Sequence, residues 1–296
     1  MKCAILYVDK NVKSVKIEHE SLIGTYEQKK AQVQGFNLMH DDFFAVVMQH
    51  KEAIEVVLRI LLQKKTLKVK EVRIQYAMRN IIGHSATLDV LAEDDTGKLY
   101  NVEVQVKNDD NYQKRVRYYQ ANMDISFLNK GKHYKELPEL YLIFISAFDI
   151  FGENKVCYEI QRVLKDSNRV VENGVHELYF NTKAKDDTEI SKLLQYFKRT
   201  NVGNEDFGAL SDTVNYYKDT EEGVSHMCDE VKRYGDERAA KAVALEAKRS
   251  AEIQIRMITS IMKKQNCTLE TALDMTGTTK DEYIAWLALL SEVKSA

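Results

Sequence analysis

Hydrophobic residues recur at helical spacing soon after the start of the chain. We predict that an aspartate N-cap in His40-Asp41-Asp42 opens the segment FFAVVMQH. The next segment, KEAIEVVLRILLQK, places its apolar residues on one face of an amphipathic helix: Ile54, Val57, Leu58, Leu61 and Leu62. Residues 1–35 have only a weak period, so we assign them to an N-terminal extension of uncertain structure.

The period changes to two after this helix. VKEVRIQYAM is rich in β-branched and aromatic residues, and ATLDVLAEDDTGKLYNVEVQVK alternates on both sides of the Asp94-Asp95-Thr96-Gly97 turn, which predicts three sequential antiparallel strands. DNYQKRVRYYQANMDISFLNKG then restores the helical period up to Gly131. The apolar run ELYLIFISAFDIF predicts a strand that is covered on both faces. The predicted order is therefore helix, three strands, helix, strand.

The rest of the chain is mostly helical in pattern. Two weaker strand patterns lie on either side of Asn173-Gly174. Beyond Lys185 the pattern is helical, first in TEISKLLQYFKRT and then, after a linker with Gly203 and Gly208, in a stretch rich in Ala, Glu, Lys and Arg that predicts a long helix. Two short helices separated by Gly277 follow, with Thr268 and Thr279 as N-caps. We therefore predict an α/β protein in three parts: an N-terminal extension (1–35), an α/β domain (36–185) and a helical C-terminal region (186–296) that ends in a helical hairpin.

Composition excludes several classes of protein. Of 296 residues, 44% are hydrophobic and 30% charged, which is typical of a folded globular chain and not of a disordered one. No apolar run approaches the roughly 20 residues of a membrane helix, and MKCAILYVDKNVKS turns polar too early for a signal peptide, so we expect a cytoplasmic protein with no membrane partner. The four cysteines form no C-x-x-C pair, which argues against a zinc site. Because the formal net charge is −2, any DNA binding must come from local basic patches.

Candidate chemistry lies on the hairpin of the second and third predicted strands. Asp89 and Glu103 lie in these two strands, and two neighbouring carboxylates are costly unless a cation lies between them. Mg²⁺ prefers such oxygen ligands, and the carbonyl of Val104 offers another. The strand period places three polar side chains on one face and three valines on the other: Glu103, Gln105 and Lys107 against Val102, Val104 and Val106. Such alternation is also typical of any sheet with one solvent-exposed face, so the hairpin alone leaves both interpretations open.

The hairpin belongs to a longer series of motifs. In chain order they are Asp41-Asp42-Phe43-Phe44, Leu88-Asp89-Val90, GKLYNVEVQ (97–105), Lys114-Arg115-Val116-Arg117-Tyr118-Tyr119, Gly131-Lys132-His133-Tyr134 and Leu137-Pro138. Together they resemble the recombination-promoting nuclease family, whose members are often named PD-(D/E)XK nuclease family transposases. The resemblance covers residues 40–220.

The resemblance implies both a fold and an activity. The fold is a PD-(D/E)XK restriction-endonuclease-like core of a helix, a three-stranded antiparallel meander, a helix and a strand, which makes 36–185 a nuclease-like domain. The activity is phosphodiester hydrolysis by a metal-dependent DNA endonuclease linked to DNA recombination, with Mg²⁺, or alternatively Mn²⁺, as cofactor.

The resemblance also implies roles for particular residues. Asp89 and Glu103 match the metal-binding carboxylates, and Gln105 stands where the wider superfamily has its lysine, although glutamine is usual in this family. Lys107, two residues further along, is a second candidate for the lysine's part. A further acid from the first helix often completes such sites, and the sequence does not choose among three candidates: Asp41, Glu52 and Glu55.

The helix after the hairpin supplies candidate DNA contacts. Its basic and aromatic residues suit a phosphate backbone, which implies little sequence preference: Lys114, Arg115, Arg117 and Tyr118. The same pattern is typical of an amphipathic helix with its charges in water, and Arg115 has the alternative of pairing with Asp89 or Glu103. A homo-oligomer formed through the C-terminal helices is a further hypothesis.

Two other functions stay open from the sequence. One is a catalytically weakened nucleic-acid-binding or protein-interaction module that keeps the nuclease fold, because the superfamily lysine is missing and the net charge is slightly acidic. The other is a structural helical adaptor that uses the long C-terminal helix.

Overall fold

A mixed sheet with helices on both faces forms the centre of the structure. The computed structural model describes residues 25–78, 86–108, 111–201 and 207–291. Its helices are α1 (Tyr26–Gln34), α2 (Asp41–Met48), α3 (Lys51–Leu61), α4 (Tyr112–Phe127), α5 (Glu189–Phe197), α6 (Ala209–Asp219), α7 (Glu221–Gln265), α8 (Leu269–Thr276) and α9 (Lys280–Ser291). Its strands are β1 (Val69–Met78), β2 (Ala86–Asp94), β3 (Leu99–Gln105), β4 (Leu140–Ser146), β5 (Cys157–Ile160), β6 (Val163–Leu164), β7 (Arg169–Val170) and β8 (Val175–Asn181). A mixed α/β architecture with a helical C-terminal part is confirmed.

Six of the described strands pair into one sheet in the order β1-β2-β3-β4-β8-β5. β1, β2 and β3 are antiparallel neighbours, whereas β3 and β4, and then β4 and β8, are parallel. Parallel neighbours need a crossover connection, and α4 provides it between β3 and β4. β5 returns antiparallel to β8, while β6 and β7 form a separate two-stranded ribbon between them in the chain. The two weaker strand patterns thus extend the sheet.

Two apolar clusters cover the two faces of the sheet. One joins the sheet to α1, α2, α3, α5, α6 and the first part of α7, and it includes Val102 and Val104 of β3. The other lies under α4, where Val116 and Met123 pack against the sheet. β4 is buried along its whole length, as expected for an apolar strand between two layers.

Several helix boundaries differ from those predicted. The first amphipathic pattern is two helices, and α2 has His40 as its N-cap with no side-chain hydrogen bond, so the predicted aspartate N-cap is wrong. Asp41 lies instead in the first turn, where a negative charge favours the positive end of the helix dipole. α4 ends at Phe127, before the predicted end at Gly131.

The chain changes direction at Thr220, between α6 and the long helix α7. The Thr220 hydroxyl accepts a hydrogen bond from the Gly223 N–H at 3.0 Å, which starts α7. A Cβ at Gly223 would lie 2.1 Å from the carbonyl oxygen of Tyr216, so only glycine fits this corner between α6 and α7. At the other end of α7, α8 and α9 pack around Ile258 in a small separate cluster.

The larger apolar cluster crosses the predicted domain boundary at 185/186. Leu193 of α5, Val214 of α6 and Val224 of α7 lie in the same cluster as the sheet. The predicted division into 36–185 and 186–296 stays a prediction. Residues 1–24 of the predicted N-terminal extension lie outside the described residues. Within the part of the chain that is described, no helix is both long enough and apolar enough to span a membrane.

Candidate active site

Asp89 and Glu103 hold each other's strands at the edge of a cleft. The cross-strand pairs of β2 and β3 run from Glu93–Leu99 to Val90–Val102. Just beyond the last pair, the Asp89 backbone N–H donates to Glu103 Oε1 at 3.1 Å, and the Val104 N–H donates to Asp89 Oδ2 at 3.3 Å. Each carboxylate therefore accepts a hydrogen bond from a backbone N–H that would otherwise need a backbone carbonyl as its partner. These two hydrogen bonds fix both acids in place.

The two acids share an unfavourable electrostatic environment. Glu103 is fully buried, and burial together with the charge of Asp89 raises the pKa of Glu103 well above its ordinary value. Burial also raises the pKa of Asp89, and the charge of Asp41 adds to the shift. Within the described ranges, Glu103 Oε2 accepts no hydrogen bond. A cation between the carboxylates would relieve all of these costs.

The donor set fits a hard divalent cation. No group of three or more His, Cys, Asp or Glu side chains in the described part of the chain is placed to hold a metal ion. The set here is smaller: two carboxylates, with the Val104 carbonyl as the third oxygen. Mg²⁺ is commonly held by one or two carboxylates and keeps several waters, so this set is sufficient.

Of the three further acids that the sequence offered as candidates, the structure brings one to this site. Asp41 lines the cleft, and its charge adds to the effect of burial in raising the pKa of Asp89. Glu55 lies elsewhere, since it pairs with Arg59 at 2.5 Å and accepts from the Val69 N–H at 2.8 Å. Glu52 is exposed on α3.

β3 ends earlier than its alternating sequence predicts. Its last residue is Gln105, so Lys107 lies in the loop after the strand, and Val106 is 55% exposed instead of buried. The predicted shared strand face therefore extends only from Glu103 to Gln105. Both Gln105 and Lys107 still line the cleft.

Arg115 points at the acids from the first turn of α4. Its Nη1 donates to Gln105 Oε1 at 3.0 Å, and its Nη2 lies 3.5 Å from Glu103 Oε2. Its Nε donates to the Tyr119 hydroxyl at 3.0 Å. This is the pairing that the sequence left as an alternative to a DNA contact. Lys114 and Arg117 are exposed on the same helix, and Tyr118 is half-buried.

A cleft of about 540 Å³ opens beside these groups, and Asp89 lines it, whereas Glu103 is fully buried behind its lining. Its lining combines residues from α2, β2, β3, α4 and α7: Met39, His40, Asp41, Asp42, Asp89, Val104, Gln105, Val106, Lys107, Arg115 and Arg238. Sequence reasoning missed the roles of Asp42 and Arg238, whose side chains meet across 196 positions of the chain. No local pattern signals such a contact.

The described part of the chain is therefore a mixed α/β protein with two paired acids beside a cleft. The family model for PD-(D/E)XK nuclease family transposases matches residues 41–242, which is more than half of the chain. The chain therefore belongs to this family, and the resemblance seen in the sequence is confirmed. No curated protein and no solved structure gives a significant match.

Glu103→Gln is expected to stabilise the metal-free protein at pH 8, because the buried Glu103 carboxylate loses its unfavourable charge. The raised pKa of Glu103 means that the folded state binds more protons than the unfolded state, so stability falls as pH rises through the folded-state pKa. Glutamine removes that loss, so its advantage should shrink at acid pH and vanish below the ordinary glutamate pKa. Chemical unfolding in EDTA across pH 4–9 measures the difference. A constant difference over this range would show that the Glu103 charge is not its cause.

Proposed function

We propose that the protein is a metal-dependent DNA endonuclease that hydrolyses phosphodiester bonds in the cleft that Asp89 lines, beside the buried Glu103. The observation that supports this most is the crossed arrangement of the two carboxylates, each fixed by a backbone N–H and each with a raised pKa. A protein has little reason to keep two acids in this environment for stability alone, because neutral side chains would cost less there. Membership of a nuclease family supports the same conclusion.

Asp89, Glu103 and the Val104 carbonyl would hold the metal, with Asp41 as a further acid at the rim. The cofactor is Mg²⁺, with Mn²⁺ as an alternative. A divalent cation in this position lowers the pKa of a bound water and neutralises charge on a phosphate. The protein's own part is to fix the oxygens of Asp89 and Glu103 before the substrate arrives.

Gln105 and Arg115 act as one unit beside the acids. A guanidinium can only donate, so the atom of Gln105 that faces Arg115 must be the amide oxygen. The Gln105 amide nitrogen is then left to donate to a phosphate oxygen or to the attacking water. Arg115 supplies the positive charge that the lysine provides elsewhere in the superfamily, and Lys107 is the alternative source at the same cleft.

The DNA backbone would run from the cleft along the start of α4. Lys114, Arg117 and Tyr118 lie on this helix, and the first two are exposed. Contacts of this kind go to phosphates, so we propose that binding has little sequence preference and weakens steeply with salt. We also propose that the protein acts in the cytoplasm. A homo-oligomer formed through the C-terminal helices stays a hypothesis.

Cleavage of supercoiled plasmid DNA tests the proposed function. Purified protein with Mg²⁺ or Mn²⁺ should convert supercoiled plasmid to nicked and linear forms, and EDTA should stop the reaction. Retarded but uncleaved plasmid with either metal would favour the catalytically weakened binding module instead. If the protein neither binds nor cleaves the plasmid, the nuclease fold serves no nucleic-acid function here.

Substitution of Gln105 separates its proposed role from a merely structural one. Gln105→Lys should keep or raise the cleavage rate, because it restores the superfamily's charge beside the acids. Gln105→Leu should lower the rate by roughly tenfold or more, because it loses both the hydrogen bond to Arg115 and the donor to phosphate or water. Single-turnover plasmid nicking measures both. Equal rates for all three proteins would show that Gln105 takes no part.

A further inference from the structure

The long helix α7 places a guanidinium at the cleft from a distant part of the sequence. Arg238 Nη1 donates to Asp42 Oδ1 at 2.6 Å, and Arg238 Nη2 donates to Asp42 Oδ2 at 2.8 Å. The Asp42 carboxylate is almost fully buried, whereas the Arg238 side chain is 56% exposed. This bidentate pair holds the guanidinium plane in a fixed orientation at the cleft wall.

Arg238 keeps donors that its partner does not use. A guanidinium has five N–H groups, and the pair with Asp42 uses two of them. Among the described residues the other three have no partner, and they lie on an exposed side chain that lines the same cleft as Asp89 and Arg115. Burial raises the pKa of Asp41, and the charges of Arg238 and Arg115 both oppose that shift, so the two guanidinium groups act on the same acid of the cleft lining.

We propose that Arg238 is a phosphate-binding residue of the cleft, presented by α7. The proposal rests on the proposed function in one respect, namely that the ligand is the sugar-phosphate backbone of DNA. It adds a second basic element, from the C-terminal region of the chain, to the one that α4 supplies. A planar guanidinium that donates to a carboxylate with one edge can donate to a phosphate oxygen with another.

The competing explanation is that Arg238 only neutralises the buried Asp42. The two explanations differ in what the two halves of the pair should do. Arg238→Gln removes the phosphate donor, whereas Asp42→Asn breaks the same ion pair and keeps the guanidinium. If the pair is merely structural, both changes should act on DNA binding in the same direction.

The test is binding of a fluorescein-labelled 30-base-pair duplex, followed by anisotropy in EDTA over a range of salt concentrations. Loss of one phosphate contact reduces the slope of log affinity against log salt concentration by about 0.9 in magnitude. If the variant and the wild type bind equally at 1 M salt, the variant then binds roughly eightfold more weakly at about 0.1 M salt. We expect this loss for Arg238→Gln. We expect Asp42→Asn to keep the wild-type slope and to bind at least as tightly, because it removes a negative charge beside the phosphate. Arg256→Gln is the matched control, since Arg256 is 83% exposed further along α7, and it should bind as wild type.

Folding is controlled by the melting temperature of each variant. Arg238→Gln leaves Asp42 buried without its cation, so the double change Asp42→Asn with Arg238→Gln provides a neutral, hydrogen-bonding pair for comparison with Asp42→Asn alone. The double variant should bind about eightfold more weakly than Asp42→Asn at 0.1 M salt. The proposal is overturned if those two bind alike, if Arg238→Gln and Asp42→Asn weaken binding equally, or if the wild type does not bind the duplex.

The assay contains no divalent metal, so its result does not depend on cleavage. A wild type that binds but never cuts would refute the endonuclease and leave the role of Arg238 measurable. A wild type that cuts while Arg238→Gln binds normally would refute the role of Arg238 alone.

Discussion

Asp89→Asn is expected to lower the rate of Mg²⁺-dependent plasmid nicking by roughly 10³-fold, because a ligand carboxylate of the proposed metal site is lost. The fold should survive, since the asparagine carbonyl can still accept from the Val104 N–H as Asp89 Oδ2 does. Single-turnover nicking at saturating enzyme measures the effect on the chemical step.

Asp95→Asn is the matched control for this change. Asp95 lies in the turn of the same hairpin and is exposed, so its substitution makes the same chemical change away from the cleft. It should cleave at the wild-type rate. An Asp89→Asn protein that is folded and cleaves as fast as the Asp95→Asn control would remove Asp89 from the proposed site.

Arg115→Leu is expected to lower the same rate by roughly 10²-fold. The change removes the cation that lies 3.5 Å from Glu103 Oε2, and it removes the hydrogen bond that orients Gln105. Because Arg115 acts at the acids, the loss should appear in kcat. Arg115→Lys should recover part of it, since the charge returns without the two-nitrogen geometry.

Arg117→Leu provides the comparison on the same helix. Arg117 is exposed and outside the cleft lining, so its loss should raise KM and leave kcat near the wild-type value. If Arg115→Leu also changes only KM, Arg115 is a DNA contact like its neighbours and the account of Gln105 fails with it.

The strands were predictable because their signals are local. β1 is signalled by its own run of β-branched and aromatic residues. The pairing of β2 with β3 is signalled by the turn between them, a few positions from the paired residues. The pair Asp89 and Glu103 follows from the same hairpin. The end of β3 was not predictable, because the alternation continues through Val106 while the parallel pairing with β4 stops at Gln105 and Ser146.

Other parts of the site depend on how distant segments pack. Asp42 has the sequence context of a helix cap, yet its carboxylate is paired with Arg238. Arg238 lies on α7, and α7 passes the cleft only because the chain changes direction between α6 and α7 at Thr220. The choice of Asp41 over Glu52 and Glu55 likewise depends on which turn of α2 or α3 faces β2. Amphipathic patterns give the buried face of a helix, but not the partner across it.

The central claim is that Asp89 and Glu103 hold one divalent cation together. Anomalous diffraction from crystals of the protein soaked in Mn²⁺ tests it directly. We predict one peak at about 2.0–2.6 Å from a carboxylate oxygen of each residue. Data that show both carboxylates ordered, with no peak between them or with a peak bound to only one of them, would contradict the claim.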